Sequence, residues 1–211
     1  MIFRDPASRL TVGLFDRPVW QPLPPDEIAR TIQAATTPPA RVFVALAAVH
    51  AARHGAIRAL QLDDVDLANR RLTIAGHTRP LDNLTHQLLL RWLDHRRRRW
   101  PDTANQHLLI NMTTALRLSP VSASWISLTL QGLTATLERL RIDRQLEEAL
   151  THRADPLHLA NVFNITETTA IRYAASARQL LEEPHQTHPS GSAPTQASIC
   201  EDEPPEHLSS R

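Results

Sequence analysis

Tyr173 is the only tyrosine among 211 residues, and it closes the stretch "TTAIRY" in the last helical segment. A tyrosine hydroxyl is a weak nucleophile at neutral pH. It attacks a phosphodiester when arginines neutralise the two non-bridging oxygens as charge builds in the transition state. Such a site needs at least two arginines from separate elements, because guanidinium forks grip phosphate oxygens in pairs and keep their charge. It also needs a group to protonate the leaving hydroxyl, usually His or Lys. Arg53, in "AARHGAIRALQLDDVDL", and Arg141, in "LERLRIDRQLEEAL" and thirty-two residues before Tyr173, are the arginines available for this. Two other roles stay open for Tyr173: a packing residue with a polar tip, or a base-reading side chain on a recognition helix.

The elements that must position these groups are mostly helical. "EIARTIQAA" reads as a helix capped by Asp26 and stopping before "TTPPA". "RVFVALAAVHAARHGAIRALQL" reads as a buried helix with Val42, Leu46, Val49 and Ile57 on its apolar stripe and a break at Gly55. "DDVDLANRRLTIAGHTRPL" alternates as two or three short strands turning around Asn69 and Gly76. "DNLTHQLLLRWLDHRRRRW" is an amphipathic helix with Asp82 as its cap, and "HLLIN" a short strand. Helices follow at Ser124 to Leu133, over "TATLERLRIDRQLEEALTHR", over "DPLHLANVF", and over "TETTAIRYAASARQLLEE" after a turn at Asn164. The expected fold is mainly α with a small antiparallel β-sheet. Residues 1–24 form a proline-rich, linker-like lead-in, 25–183 the folded body, and 184–211 an acidic Pro/Ser-rich tail expected to be disordered.

Composition narrows the class. No apolar run approaches the roughly 20 residues of a membrane span, so no membrane partner is expected. "MIFRDPASRL" lacks the apolar core of a secretory signal. Cys200 is the single cysteine and can make no internal disulfide, so a reducing cytoplasmic setting is the expectation. The chain has no lysine, and all 23 basic residues are arginine. From Glu182 onward there are six acids and one base, leaving 22 Arg against 16 acids in residues 1–181, a charge of +6. A basic body with an acidic tail suits a nucleic-acid partner.

Several blocks together resemble the tyrosine recombinase (phage integrase) family, over about Pro24 to Glu183. In that family one Arg follows a Gly-Leu pair and precedes "L-x-L-x-x-x-D-I-D", a second closes H-x-L-R, an L-G-H box follows, and "T-T-x-x-Y" carries the nucleophile. Arg53 with "ALQLDDVD", Arg141 ending "ERLR", "VFN" in place of L-G-H, and "TTAIRY" stand in that order here, and "TRPL" resembles the family's "R-x-x-P-L". The resemblance implies a catalytic-domain-like fold in which Tyr173 forms a 3′-phosphotyrosyl link with double-stranded DNA while Arg53 and Arg141 hold the phosphate. It implies no metal, nucleotide cofactor or small-molecule substrate, and a possible homo-oligomer on DNA. The departures are specific. Glu138 replaces the histidine of H-x-L-R, Asn164 that of L-G-H, and Ala56 the acid after the first arginine. His77 is the nearest stand-in for the family's hairpin lysine, and only the lead-in stands where the family carries an N-terminal DNA clamp. A carboxylate at 138 repels phosphate unless Arg neutralises it. The implied protein is a truncated, degenerate recombinase with impaired or lost activity.

Other readings compete for the same residues. "DPLHLANVFNITETTAIRYAASA" also reads as a helix-turn-helix of a DNA-binding regulator (residues 155–178), with Ala170 and Ile171 inward and Thr166, Thr168, Thr169 and Arg172 on the reading face. A non-catalytic interaction remnant of a mobile element is a third. "HRRRRW" reads as a helix C-terminus with arginines facing water, and Trp92, Trp100 and Trp125 as packing residues. His50 and His54, one helical turn apart in "HAARH", lack the Glu of a zinc helix and are read as core or surface residues. The tail "HQTH" carries no metal site.

Overall fold

Eight α-helices, two short 3-10 turns and three short strands lie within the described residues, 19–182, of the computed structural model. The tail assigned to 184–211, with Cys200, and most of the lead-in lie outside them. The order is α1 Pro25–Ala34, α2 Pro38–Ala48, α3 His54–Ala59, β1 Val65–Asp66, β2 Arg71–Ile74, β3 His77–Pro80, α4 Asn83–Arg99, α5 Ala123–Thr129, α6 Leu137–Thr151, α7 Pro156–Phe163 and α8 Glu167–Glu182. None of these helices is long and apolar enough to cross a membrane.

Polar caps start most of the helices where the sequence supplies an oxygen. Thr37, Asp82, Ser122, Thr136 and Asp155 each accept a backbone N–H from the first turn that follows, worth about 1 kcal/mol apiece. At α1 the N-cap is Pro24, with no side-chain cap; Asp26 lies inside the first turn and pairs with Arg30 at 2.7 Å. Residues Val42 to Ala47 of α2 are all buried, because this helix packs against both α4 and α6 and has no solvent face over that span. The break after α2 falls at Val49–Arg53 and not at Gly55, which is the second residue of α3. Ala51 takes a positive φ of 50° there, and the Ala52 N–H reaches back to the Leu46 carbonyl at 3.0 Å. His50 and His54 therefore do not share a helix face.

The sheet is antiparallel in the order β1-β2-β3. Ile74 pairs with His77 across Ala75 and Gly76, whose φ values of 49° and 81° give the two-residue turn that matches strand twist. "HLLIN" contributes only an isolated bridge, Gln61 to His107, because Leu108, Leu109 and Ile110 are buried in or against the helical core.

Two apolar clusters hold the body together. The larger gathers α2, β2, α4 and the start of α6 around Phe43, Leu46, Leu89 and Trp92. The smaller joins the end of α6 to α7 and α8 around Leu146, Leu159, Phe163, Ala170 and Tyr173. The sides of α6 belong to both, so its first half faces one core and its second half the other. Of the "HRRRRW" run, Arg97 to Arg99 face solvent as expected. Arg96 turns inward and donates to the Asn105 carbonyl, because its position on α4 falls on the buried face with Leu89 and Trp92.

Candidate active site

Arg53 is the N-cap of α3, in extended backbone, so its exposed side chain leaves the chain just where α2 ends and α3 begins. Arg141 sits in the second turn of α6 and is only 7% exposed. The two arginines line one cleft of about 290 Å³, together with His50, Ala56, Arg79, Gln145, Phe163, Asn164 and Thr166. They also line an adjoining depression with His54 and Glu138. Three guanidinium groups on one concave surface make a site for an anion.

Glu138 and Gln145 flank Arg141 on α6, one turn before and one turn after it. Glu138 accepts from Arg141 Nε at 2.9 Å and from Nη2 at 2.5 Å, and Gln145 Oε1 accepts from Nη1 at 2.8 Å. Of the five N–H groups of the fork, two are left over. The hydrogen bond to Glu138 is also the main reason that the Arg141 pKa is raised and the Glu138 pKa lowered. Where the recombinase pattern has a neutral or cationic histidine, this chain holds a carboxylate bonded to the arginine that a phosphate would need.

Tyr173 is 1% exposed and does not line the cleft. Its ring stacks on Trp20 at 3.9 Å between centroids, tilted by 34°. The segment carrying Trp20 is tied down at two points: the Trp20 N–H donates to Ser176 Oγ at 3.4 Å, and the Leu23 N–H to Asp143 Oδ1 at 2.7 Å. Arg172 lies 4.8 Å from the centre of the Trp20 ring. Burial raises the Tyr173 pKa, against an opposing effect of the Arg141 charge beside its hydroxyl. Tyr173, the expected nucleophile, is thus a neighbour of Arg141 within the smaller core and not on the cleft wall.

The remaining expected site residues divide. Asn164 ends α7 in the left-handed conformation, φ 50° and ψ 53°, which asparagine tolerates better than most side chains, and it lines the cleft. His77 does not line the cleft: it is exposed at the tip of the β2–β3 hairpin, two residues before Arg79. Arg79, His50, Gln145 and Trp20 were not expected at the site. "TRPL" marked Arg79 as part of a pattern, but only the folded hairpin brings it to His50, whose carbonyl accepts from Arg79 Nη1 at 2.7 Å.

The helix-turn-helix reading meets two corrections. Ile171 is 56% exposed and does not face inward, whereas Tyr173 is buried and so lies off any reading face. A regulator of that kind would also leave Arg53 far from the motif, whereas Arg53 shares the cleft with Asn164 and Thr166. The cause is that α8 packs against α6 as well as α7, which turns the Tyr173 face toward the core.

His50 is 6% exposed, and its Nε2 lies 3.1 Å from Asp82 Oδ2 at an angle too poor for a full hydrogen bond. Burial lowers its pKa below the ordinary 6.5, outweighing the attraction of Asp82. In the unfolded chain His50 takes up its proton at the ordinary pKa, so stability is full above 6.5 and falls as pH drops from there toward the folded pKa. The melting temperature should therefore decline below pH 6.5, and His50→Gln should flatten part of that decline, His107 contributing another part in the same direction. An unchanged slope in the variant would show that His50 is not held neutral by the fold.

No family model and no curated protein matches the chain. Solved structures do match. The crystal structure of XerA recombinase superposes with a TM-score of 0.62 at 21% identity, covering 81% of this chain and 66% of that one. XerH site-specific recombinase, in a post-cleavage complex with a palindromic difH substrate, gives 0.58 at 16% identity over 81% of this chain and 54% of that one. The Tn1549 transposon integrase with circular intermediate DNA gives 0.55 at 17% identity, over 80% and 66%. The chain spans between 54% and 66% of the length of these structures. With its eight helices, three-stranded antiparallel sheet and paired cores, this chain has the fold of the tyrosine recombinase catalytic domain.

Proposed function

We propose that this protein binds double-stranded DNA through the arginine cleft, as a recombinase-like protein whose strand-cleaving chemistry is impaired. The observation that carries this reading is the placement of Arg53 and Arg141 in one cleft on the recombinase fold, with the Tyr173 hydroxyl beside Arg141. Residues 25–183 form the DNA-binding body, and a homo-oligomer on DNA fits a fold whose XerH and Tn1549 counterparts were solved on DNA.

In the full reaction the Tyr173 oxygen would attack phosphorus, its proton would leave, and the bond to the 5′-oxygen would break, giving a 3′-phosphotyrosyl link and a 5′-hydroxyl. Arg53 and Arg141 would carry the non-bridging oxygens. Three features oppose that sequence. Tyr173 is covered by Trp20, the Arg141 fork is held by Glu138, and the leaving 5′-oxygen has no ammonium to protonate it. His50, on the cleft wall, is kept neutral by burial.

The test is a nicked suicide substrate with wild type and Tyr173→Phe, run beside a DNA-binding titration at several salt concentrations. Binding that weakens steeply with salt and with Arg53→Ala, and little or no covalent adduct, is the expected outcome. An abundant adduct in wild type alone would show intact chemistry and overturn the impairment. Binding lost in Arg172→Ala but kept in Arg53→Ala would favour the helix-turn-helix regulator. No DNA binding at low salt would leave the non-catalytic interaction remnant.

A further inference from the structure

At the corner between α6 and α7, away from the residues that line the arginine cleft, two imidazoles converge on one carboxylate oxygen. His152 caps the end of α6, and its Nδ1 lies 3.1 Å from Glu148 Oε1; His158, in the first turn of α7, places its Nε2 2.9 Å from the same oxygen. The three donor atoms all lie within 4.8 Å of one another, and the two rings stack at 4.3 Å between centroids. Tetrahedral zinc with bonds of about 2.0–2.1 Å sets its ligand atoms roughly 3.3 Å apart, so two of the three separations are already near the required value. Glu148 is free to serve, because Arg144 takes its other oxygen, Oε2, at 2.8 Å and fixes the carboxylate in place.

We propose that Glu148, His152 and His158 form a site for a divalent transition-metal ion of the zinc class, with three protein ligands and the fourth position open to solvent. The ion would act as a clip across a strained turn. Arg153 and Ala154, which lie between the histidines, both take positive φ, 56° and 54°, at a cost that non-glycine residues rarely bear in succession. Tying His152 to His158 would hold that turn closed and fix where α7 starts. Since α7 ends at Phe163 and Asn164, the clip would also steady one wall of the arginine cleft.

The full chain should be titrated with Zn²⁺ and with Co²⁺ by calorimetry, and its melting temperature followed in parallel. The expected result is saturable uptake of one ion and a rise in melting temperature. His152→Ala and His158→Ala should each weaken binding roughly tenfold or more, and the double variant should lose both signals while keeping its metal-free melting temperature within a few degrees. Absence of one-to-one uptake by the full chain would overturn the proposal and leave an ordinary ion-pair cluster. Uptake undiminished in the double variant would overturn it equally, assigning the ion to other side chains such as His185, His188, His207 or Cys200.

Discussion

Tyr173→Ala should destabilise the protein by roughly 3–5 kcal/mol, the usual cost of emptying a fully buried aromatic site. The side chain is one of the largest fully buried ones and belongs to the core that joins α6, α7 and α8. Its stacking on Trp20 adds about 0.5–1.5 kcal/mol beyond the area buried, which a Trp20→Ala double-mutant cycle would isolate. Tyr173→Phe keeps the ring and gives up only the hydroxyl next to Arg141, so its cost should stay near 1 kcal/mol. Chemical denaturation of the three single variants and of the Trp20→Ala/Tyr173→Ala double variant checks the three values. A Tyr173→Ala protein as stable as wild type would mean that the ring is not packed against Trp20 in solution, and the obstruction argued for the nucleophile would disappear with it. The contrast also validates Tyr173→Phe as the control in the adduct assay, because it separates loss of the nucleophile from loss of the fold.

Glu138→Gln should strengthen DNA binding about tenfold at low salt, on the reading that the cleft takes a phosphate. The carboxylate accepts two of the five N–H groups of Arg141 and cancels its charge at the point where a phosphate would approach. Glutamine retains the shape, removes the charge, and lets a phosphate compete for the fork. Stability should fall by about 1 kcal/mol, because Arg141 is buried and loses its counter-charge while the glutamine amide oxygen still accepts from its fork. Fluorescence anisotropy with a labelled duplex, repeated across salt concentrations, measures both affinity and the number of phosphates engaged. Equal or weaker binding by the variant would show that Glu138 does not obstruct the cleft. The same argument gives a pH sense: the Arg141 hydrogen bond holds the Glu138 pKa below its ordinary value, so its pairing persists until the pH is well into the acid range.

Much of the fold was legible because it rests on local rules. Asp82 announced the start of α4, and the alternation around "RRLTIAGHTRPL" announced the hairpin, since capping and strand alternation depend on residues a few positions apart. The break after α2 was misplaced for the same reason in reverse. Glycine is the usual local signal for a break, but Ala51 takes the left-handed conformation because the surrounding packing imposes it. The histidine pair at the α6–α7 corner escaped notice because His152 and His158 straddle a turn, so no helical or strand period relates them.

The sequence by itself carried the resemblance: Arg53, Arg141 and Tyr173 stand in the order and spacing of the recombinase pattern, with Glu138 and Asn164 where that pattern has histidines. Residue identity and spacing are properties of the chain alone. Only the tertiary structure decided which groups meet. It put Arg79 and His50 on the cleft with Arg53 and Arg141, left His77 at the hairpin tip, closed Glu138 onto Arg141, and laid Trp20 over Tyr173. Trp20 and Tyr173 lie 153 positions apart, and no local preference links them. Their contact follows from α8 packing against α6, which turns the apolar face carrying Tyr173 inward and leaves the segment before α1 to cover it.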